Sequence, residues 1–191
     1  MTVSVAKLKI VLDDVEPPVM RRIAVPLTIR LDRLHLALQA ALGWTDSHLY
    51  AFRFGDVAFG VPDPEWGGGP LDARKTTLRA AIEDTGRKTF KYLYDFGDGW
   101  EHSVKVEKIE PGITSLGLPV LIAATGRCPP EDVGGPPGYA EFLDATTDPT
   151  HEQHDDVIRW VGGPFDPNTV DTAAIDKTLE TLARRWNRTK L

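Results

Sequence analysis

Seven side chains able to hold a metal or move a proton fall in three blocks far apart in the chain: His48; then Asp95, Asp98 and His102; then Cys128, Glu131 and Asp132. Each block lies at an expected turn or strand end, where binding and catalytic groups concentrate. Imidazole and carboxylate together suit zinc or manganese. Two histidines and one carboxylate with an open position would hold a metal-activated water. His48, Asp95 and His102 are therefore the catalytic candidates, and His48, Asp95, Asp98 and His102 the metal candidates. The chain has no Cys-x-x-Cys or His-x-x-x-His pair. The same residues also have structural readings, with Asp95 and Asp98 in a turn and His102 in packing.

Two weaker constellations stand beside this one. His151 and His154 are three apart at the start of an expected helix, close enough to share an ion. The acidic residues around them suit the positive end of a helix dipole without any ligand. Cys128, the single cysteine, would need His48 or His102 as a base to act as a nucleophile; otherwise it is a small buried side chain.

The middle block must be positioned by a hairpin, because alternating runs from Phe90 and from Trp100 flank Gly97-Asp98-Gly99. Two registers are open. A type I′ turn at Asp98-Gly99 places Asp95 opposite His102 on one face. A three-residue loop instead puts Phe90, Tyr92, Tyr94 and Phe96 on a face with Trp100, His102, Val104 and Val106, aligning the apolar residues as burial demands.

Other elements follow from periodicity. Val3 to Leu12 reads as a strand and Val19 to Val25 as a second, with Arg21-Arg22 on a solvated edge or at an anion or partner contact. Leu34, Leu38 and Leu42 make the buried stripe of a helix with Asp32 as N-cap and Gly43 as its left-handed stop. Tyr50, Phe52 and Phe54 alternate as in a strand, and Val57 to Val61 returns as another. Pro62 to Pro70, with Trp66 and three glycines, is a loop. A short helix from Thr77 ends at Gly86, and Pro119 to Ala124 is a strand. Helices are expected over Pro137 to Leu143, from an Asp148-Pro149 start to Gly162, and around Ile175, Leu179, Leu182 and Trp186. Strands gather in the first two thirds and helices in the last. The fold class is α+β, a mixed or antiparallel sheet with a central hairpin near 88–107 packed by helices. Residues 1–165 form the domain, and 166–191 a helical extension packed upon it.

A net charge of −6 argues against a broad nucleic-acid surface, so a protein partner is favoured over nucleic acid. One cysteine fits a reducing cytoplasm, and no apolar run reaches membrane-spanning length.

Three blocks, Trp44-Thr45-Asp46-Ser47-His48-Leu49-Tyr50, Tyr94 through His102, and Cys128 through Gly135 with Gly138-Tyr139, resemble the plasmid PRiA-type ORF-three-like family. Pro17-Pro18-Val19-Met20-Arg21-Arg22 fits that family's N-terminal block, with Met20 where an aromatic is expected. The resemblance covers roughly residues 5 to 165. It implies an α+β domain and, through members labelled TnpR-type passengers of insertion elements, a gene context of mobile DNA without an assigned reaction.

Two functions are in view, the first of them favoured and the second its alternative. One is a binding module that meets a partner through the aromatic hairpin and the Pro/Gly-rich loop, using Trp44, Tyr94, Asp98, Trp100, Cys128, Glu131, Asp132 and Tyr139. The other is a metal-assisted hydrolase or transferase built on the His/Asp cluster.

Overall fold

A computed structural model describes residues 3–62, 69–112 and 117–188, with residue 188 described for its backbone alone. The loop around Trp66 lies outside the described residues. The described residues form eight strands and five helices: β1 Val3–Leu12, β2 Met20–Pro26, α1 Leu31–Leu42, β3 Tyr50–Phe54, β4 Val57–Gly60, β5 Leu71–Asp72, α2 Leu78–Thr85, β6 Thr89–Tyr94, β7 Trp100–Gly112, β8 Val120–Thr125, α3 Gly135–Thr147, α4 His154–Val161 and α5 Thr172–Arg188. The strands make one sheet in the order β5-β4-β3-β6-β7-β1-β2-β8, antiparallel except for the β4–β5 pair. The class is α+β, as the segregation of strands and helices requires.

The hairpin β6–β7 lies near the middle of this sheet. Period-two alternation sends Phe90, Tyr92, Tyr94, Trp100, His102 and Val104 to one face, where all are buried, while Lys91, Glu101 and Lys105 point the other way. That second face is polar and laced with ion pairs such as Lys91–Asp13 and Arg22–Glu107. Helix α1 covers the apolar face with Leu34, Leu38 and Leu42, and α5 packs on α1 and β8.

Neither expected hairpin register occurs. Tyr94 pairs with Trp100 and Tyr92 with His102, so the loop runs from Asp95 through Gly99 and Phe96 leaves the strand, 54% exposed. The cause is Asp95. It adopts φ +54, its Oδ1 accepts the Gly97 N–H at 2.9 Å, and its carbonyl accepts the Gly99 N–H at 2.7 Å. An aspartate that satisfies its own turn in this way closes a wider loop than the Asp-Gly pair alone would. The shared apolar face survives; the pairing of Asp95 with His102 does not.

Three smaller differences have local reasons. Helix α1 starts one residue before Asp32, whose carboxylate pairs with Arg30 instead of capping. Asp148 accepts from the backbone and hydroxyl of Thr150, which closes a turn and delays α4 to His154. Arg21 is not on a solvated edge: it is 1% exposed, and donates to the carbonyls of Ala41, Met20, Thr125 and Gly126 at 2.7–3.0 Å. Ala41 is in the last turn of α1, which has no basic residue of its own, so Arg21 supplies the cation that end favours.

Candidate metal centre

The turn after α1 is held against the proline-rich segment by Glu131. Its carboxylate accepts from the Thr45 N–H at 3.1 Å, the Ser47 hydroxyl at 3.2 Å, the Tyr94 hydroxyl at 2.7 Å and the Thr45 hydroxyl. Burial pushes Glu131 up, but these hydrogen bonds outweigh it and hold the group below the usual carboxylate range. Tyr94 in turn accepts the Ser47 N–H at 3.0 Å, and Trp44 Nε1 donates to the Pro129 carbonyl at 3.0 Å. The hairpin tip joins the same assembly, since Asp98 Oδ2 accepts the Gly134 N–H at 3.1 Å. Gly135, at φ +69, passes so close that a Cβ there would sit 2.3 Å from the Asp98 carbonyl oxygen; only glycine fits. All three sequence blocks therefore meet.

Their meeting point is a cluster of His48, Asp95 and Asp132, whose ligand atoms all lie within 4.8 Å of one another. His48 Nε2 stands 3.0 Å from Asp132 Oδ1 and 3.6 Å from Asp95 Oδ2. Nε2 is buried and, despite these short distances, makes no hydrogen bond of acceptable angle. Asp95 spends Oδ1 on its own turn, which aims Oδ2 at the histidine. Asp95 and Asp132 both hold the left-handed backbone conformation, at φ +54 and +60. Such strained positions concentrate at functional sites.

The other expected site residues lie elsewhere. His102 is fully buried between Trp44 and Tyr92, with Nδ1 3.0 Å from the Tyr92 carbonyl oxygen, and is not in the cluster. Asp98 serves Gly134. Cys128 is buried with Sγ 3.9 Å from Arg21 Nη2; burial pushes its thiol up to about 12, with Arg21 opposing, which is the reverse of an activated nucleophile. Tyr94, Trp100 and Tyr139 are each 1% exposed and Trp44 7%, so the aromatic face expected to meet a partner is turned into the core. His151 and His154 go separate ways, His151 Nδ1 accepting from Gln153 N and His154 Nδ1 meeting the Ala145 carbonyl.

Sequence reading missed a second network. His35, 2% exposed, lies between Tyr92 and Asp46 and stacks on Tyr50 at 3.7 Å. Burial lowers the His35 pKa against the opposing pull of Asp46. The available signal was an i, i+4 polar pair, His35 and Gln39, inside the otherwise apolar stretch Leu34–Leu42 of the helix.

An eight-stranded α+β domain carrying a His-Asp-Asp cluster at the junction of three loops defines the class. The sequence model of the plasmid pRiA4b ORF-3-like proteins matches residues 4–174, and the chain belongs to that family. It is 56% identical over 189 residues to an uncharacterized protein, y4hQ, of Sinorhizobium fredii, covering 98% of this chain and 97% of that protein. It is also similar to the crystal structure of MM3350, a protein of unknown function from Methanosarcina mazei, with a TM-score of 0.79 at 32% identity over 90% of this chain and 97% of that one. Among the described residues no helix is long and apolar enough to cross a membrane.

Proposed function

We infer that His48, Asp95 and Asp132 bind a divalent transition ion, zinc or manganese, and that the protein is a metal-assisted hydrolase. One observation carries this reading: three ligand atoms from distant segments converge while His48 Nε2 is left without a hydrogen bond. Zinc–nitrogen and zinc–oxygen bonds near 2.1 Å in tetrahedral array put ligand atoms roughly 3.4 Å apart. The two separations from His48, 3.0 and 3.6 Å, bracket that value, and all three ligand atoms lie within 4.8 Å of one another. One imidazole and two carboxylates also match the ligand preferences of both metals. His48, Asp95 and Asp132 would hold the ion with a fourth position open, and the ion would supply a water of lowered pKa for hydrolysis, the leaving group departing with that water's proton.

Protein purified without added metal and then equilibrated with zinc or manganese should retain about one equivalent by elemental analysis, as a three-ligand site demands. His48→Ala and Asp132→Asn should lose it while keeping their circular dichroism spectra. Retention of the full equivalent by both variants would remove the assignment.

A further inference from the structure

Beside the cluster, and sharing His48 with it, lies a cleft of about 360 Å³, within the range of small-molecule sites. Its charges are not balanced. Arg74 lines the cleft but is engaged through Nε and Nη2 by Asp72 at 2.9 and 3.0 Å. Asp32 is likewise engaged by Arg30 at 2.9 and 2.7 Å. Asp46 is different: its partner is His35, and the surrounding donors settle that histidine as neutral.

Gln39 fixes the direction of these hydrogen bonds. Its Oε1 accepts the Asp46 N–H at 2.9 Å, so its amide nitrogen is the group 3.0 Å from the Tyr92 hydroxyl and donates to it. The hydroxyl then gives its own hydrogen to His35 Nδ1, 2.7 Å away. That leaves the imidazole proton on Nε2, where it is donated to Asp46 Oδ1 at 2.5 Å. A second proton on Nδ1 would leave the Tyr92 hydrogen without an acceptor in a buried site. Among the described residues lining the cleft, Asp46 is thus the carboxylate with no cation beside it, and its side chain is 47% exposed. The field is felt nearby: the Tyr50 phenol is pushed up to about 12, by burial first and then by Asp32, Asp46 and Asp72, with Arg74 opposing. Leu49 and Val61, 57% and 52% exposed, add an apolar rim.

We propose that this cleft binds a small primary amine, its ammonium group on Asp46 and its apolar chain over Leu49 and Val61. As a statement about substrate it rests on the metal reading, because the cleft opens onto His48; as a statement about binding it does not. L-leucinamide, its uncharged N-acetyl derivative and n-hexylamine should be titrated by calorimetry into chelator-treated protein and into zinc-loaded protein. Leucinamide should bind at least about ten-fold more tightly than the acetyl derivative in both forms, and Asp46→Asn should abolish that preference. A preference for leucinamide over hexylamine assigns an α-amino amide, and the reverse an alkylammonium; either supports the site. Equal affinity for leucinamide and its acetyl derivative on the unmodified protein overturns it, and this comparison needs no variant to fold. Amine preference without zinc uptake would sink the metal reading alone, and zinc uptake without amine preference would sink this one alone.

Discussion

Lowering the pH should destabilise this protein through His102 before general acid denaturation begins. The ring is fully buried, and a carbonyl oxygen can only accept, so Nδ1 carries the proton shared with Tyr92 and Nε2 is a bare lone pair with no partner. A second proton would place an imidazolium in the aromatic core, and burial lowers the pKa from 6.5 to about 4. Above pH 6.5 the ring is neutral in both folded and unfolded chains and contributes nothing to the pH dependence. As pH falls from there toward 4 the unfolded chain binds a proton that the native one refuses, so stability falls with pH; below 4 this group adds no further loss. At about 1.4 kcal/mol for each pH unit of separation, the full loss is about 3 kcal/mol, and roughly 2 kcal/mol between about pH 7 and about pH 5. Urea unfolding of the wild type and of His102→Gln at these two pH values measures it. The glutamine amide can still donate toward the Tyr92 carbonyl but does not titrate. His35, whose folded pKa is also lowered, acts in the same direction in both proteins and cancels. A pH dependence in the variant within about 0.5 kcal/mol of the wild type's would refute the reasoning.

Arg21→Leu strands several buried carbonyl acceptors and should cost about 3 kcal/mol or more, seen as a drop of roughly 6–12 °C in the Tm of a chain this long. Gly135→Ala must push the proline-rich segment off the Asp98 carbonyl at a left-handed position, so it should lose roughly 2 kcal/mol in urea unfolding and weaken zinc uptake together. Glu131→Gln replaces a charged hub that accepts four hydrogen bonds; a loss of about 1–3 kcal/mol is expected in thermal unfolding, with weaker metal retention because the His48 turn loosens. Zinc at about a hundred times its dissociation constant should raise stability by about 2.7 kcal/mol in the wild type, read as a Tm shift that His48→Ala does not show.

Strands and helices were legible where burial imposes a period: the alternation of Tyr50, Phe52 and Phe54, the stripe of Leu34, Leu38 and Leu42, and the glycine stops at 43, 86 and 162 all occur as expected. The same periodicity put Phe90, Tyr92 and Tyr94 on one face with Trp100 and His102. It could not say that this face was core rather than an exposed anchor for a partner, because an apolar stripe looks identical whether a helix of the same chain or another molecule covers it. Arg21 misled for a related reason: guanidinium groups are usually solvated, and only the approach of the α1 terminus and the Thr125–Gly126 carbonyls makes burial tolerable.

Local chemistry thus settled most elements and gathered seven candidate residues, with His48, Asp95, Asp98 and His102 as the metal set and Asp132 among the binding residues. Which of the seven candidates would meet was decided by long-range contacts: the Glu131 hub, the Asp98–Gly134 bond, the aromatic packing that took His102 into the core, and the burial of Cys128 beside Arg21. Side-chain periodicity is a property of neighbours in sequence and can be read from it. The distance between His48 and Asp132 depends on how three loops pack at one end of a sheet, and only the folded chain carries that information.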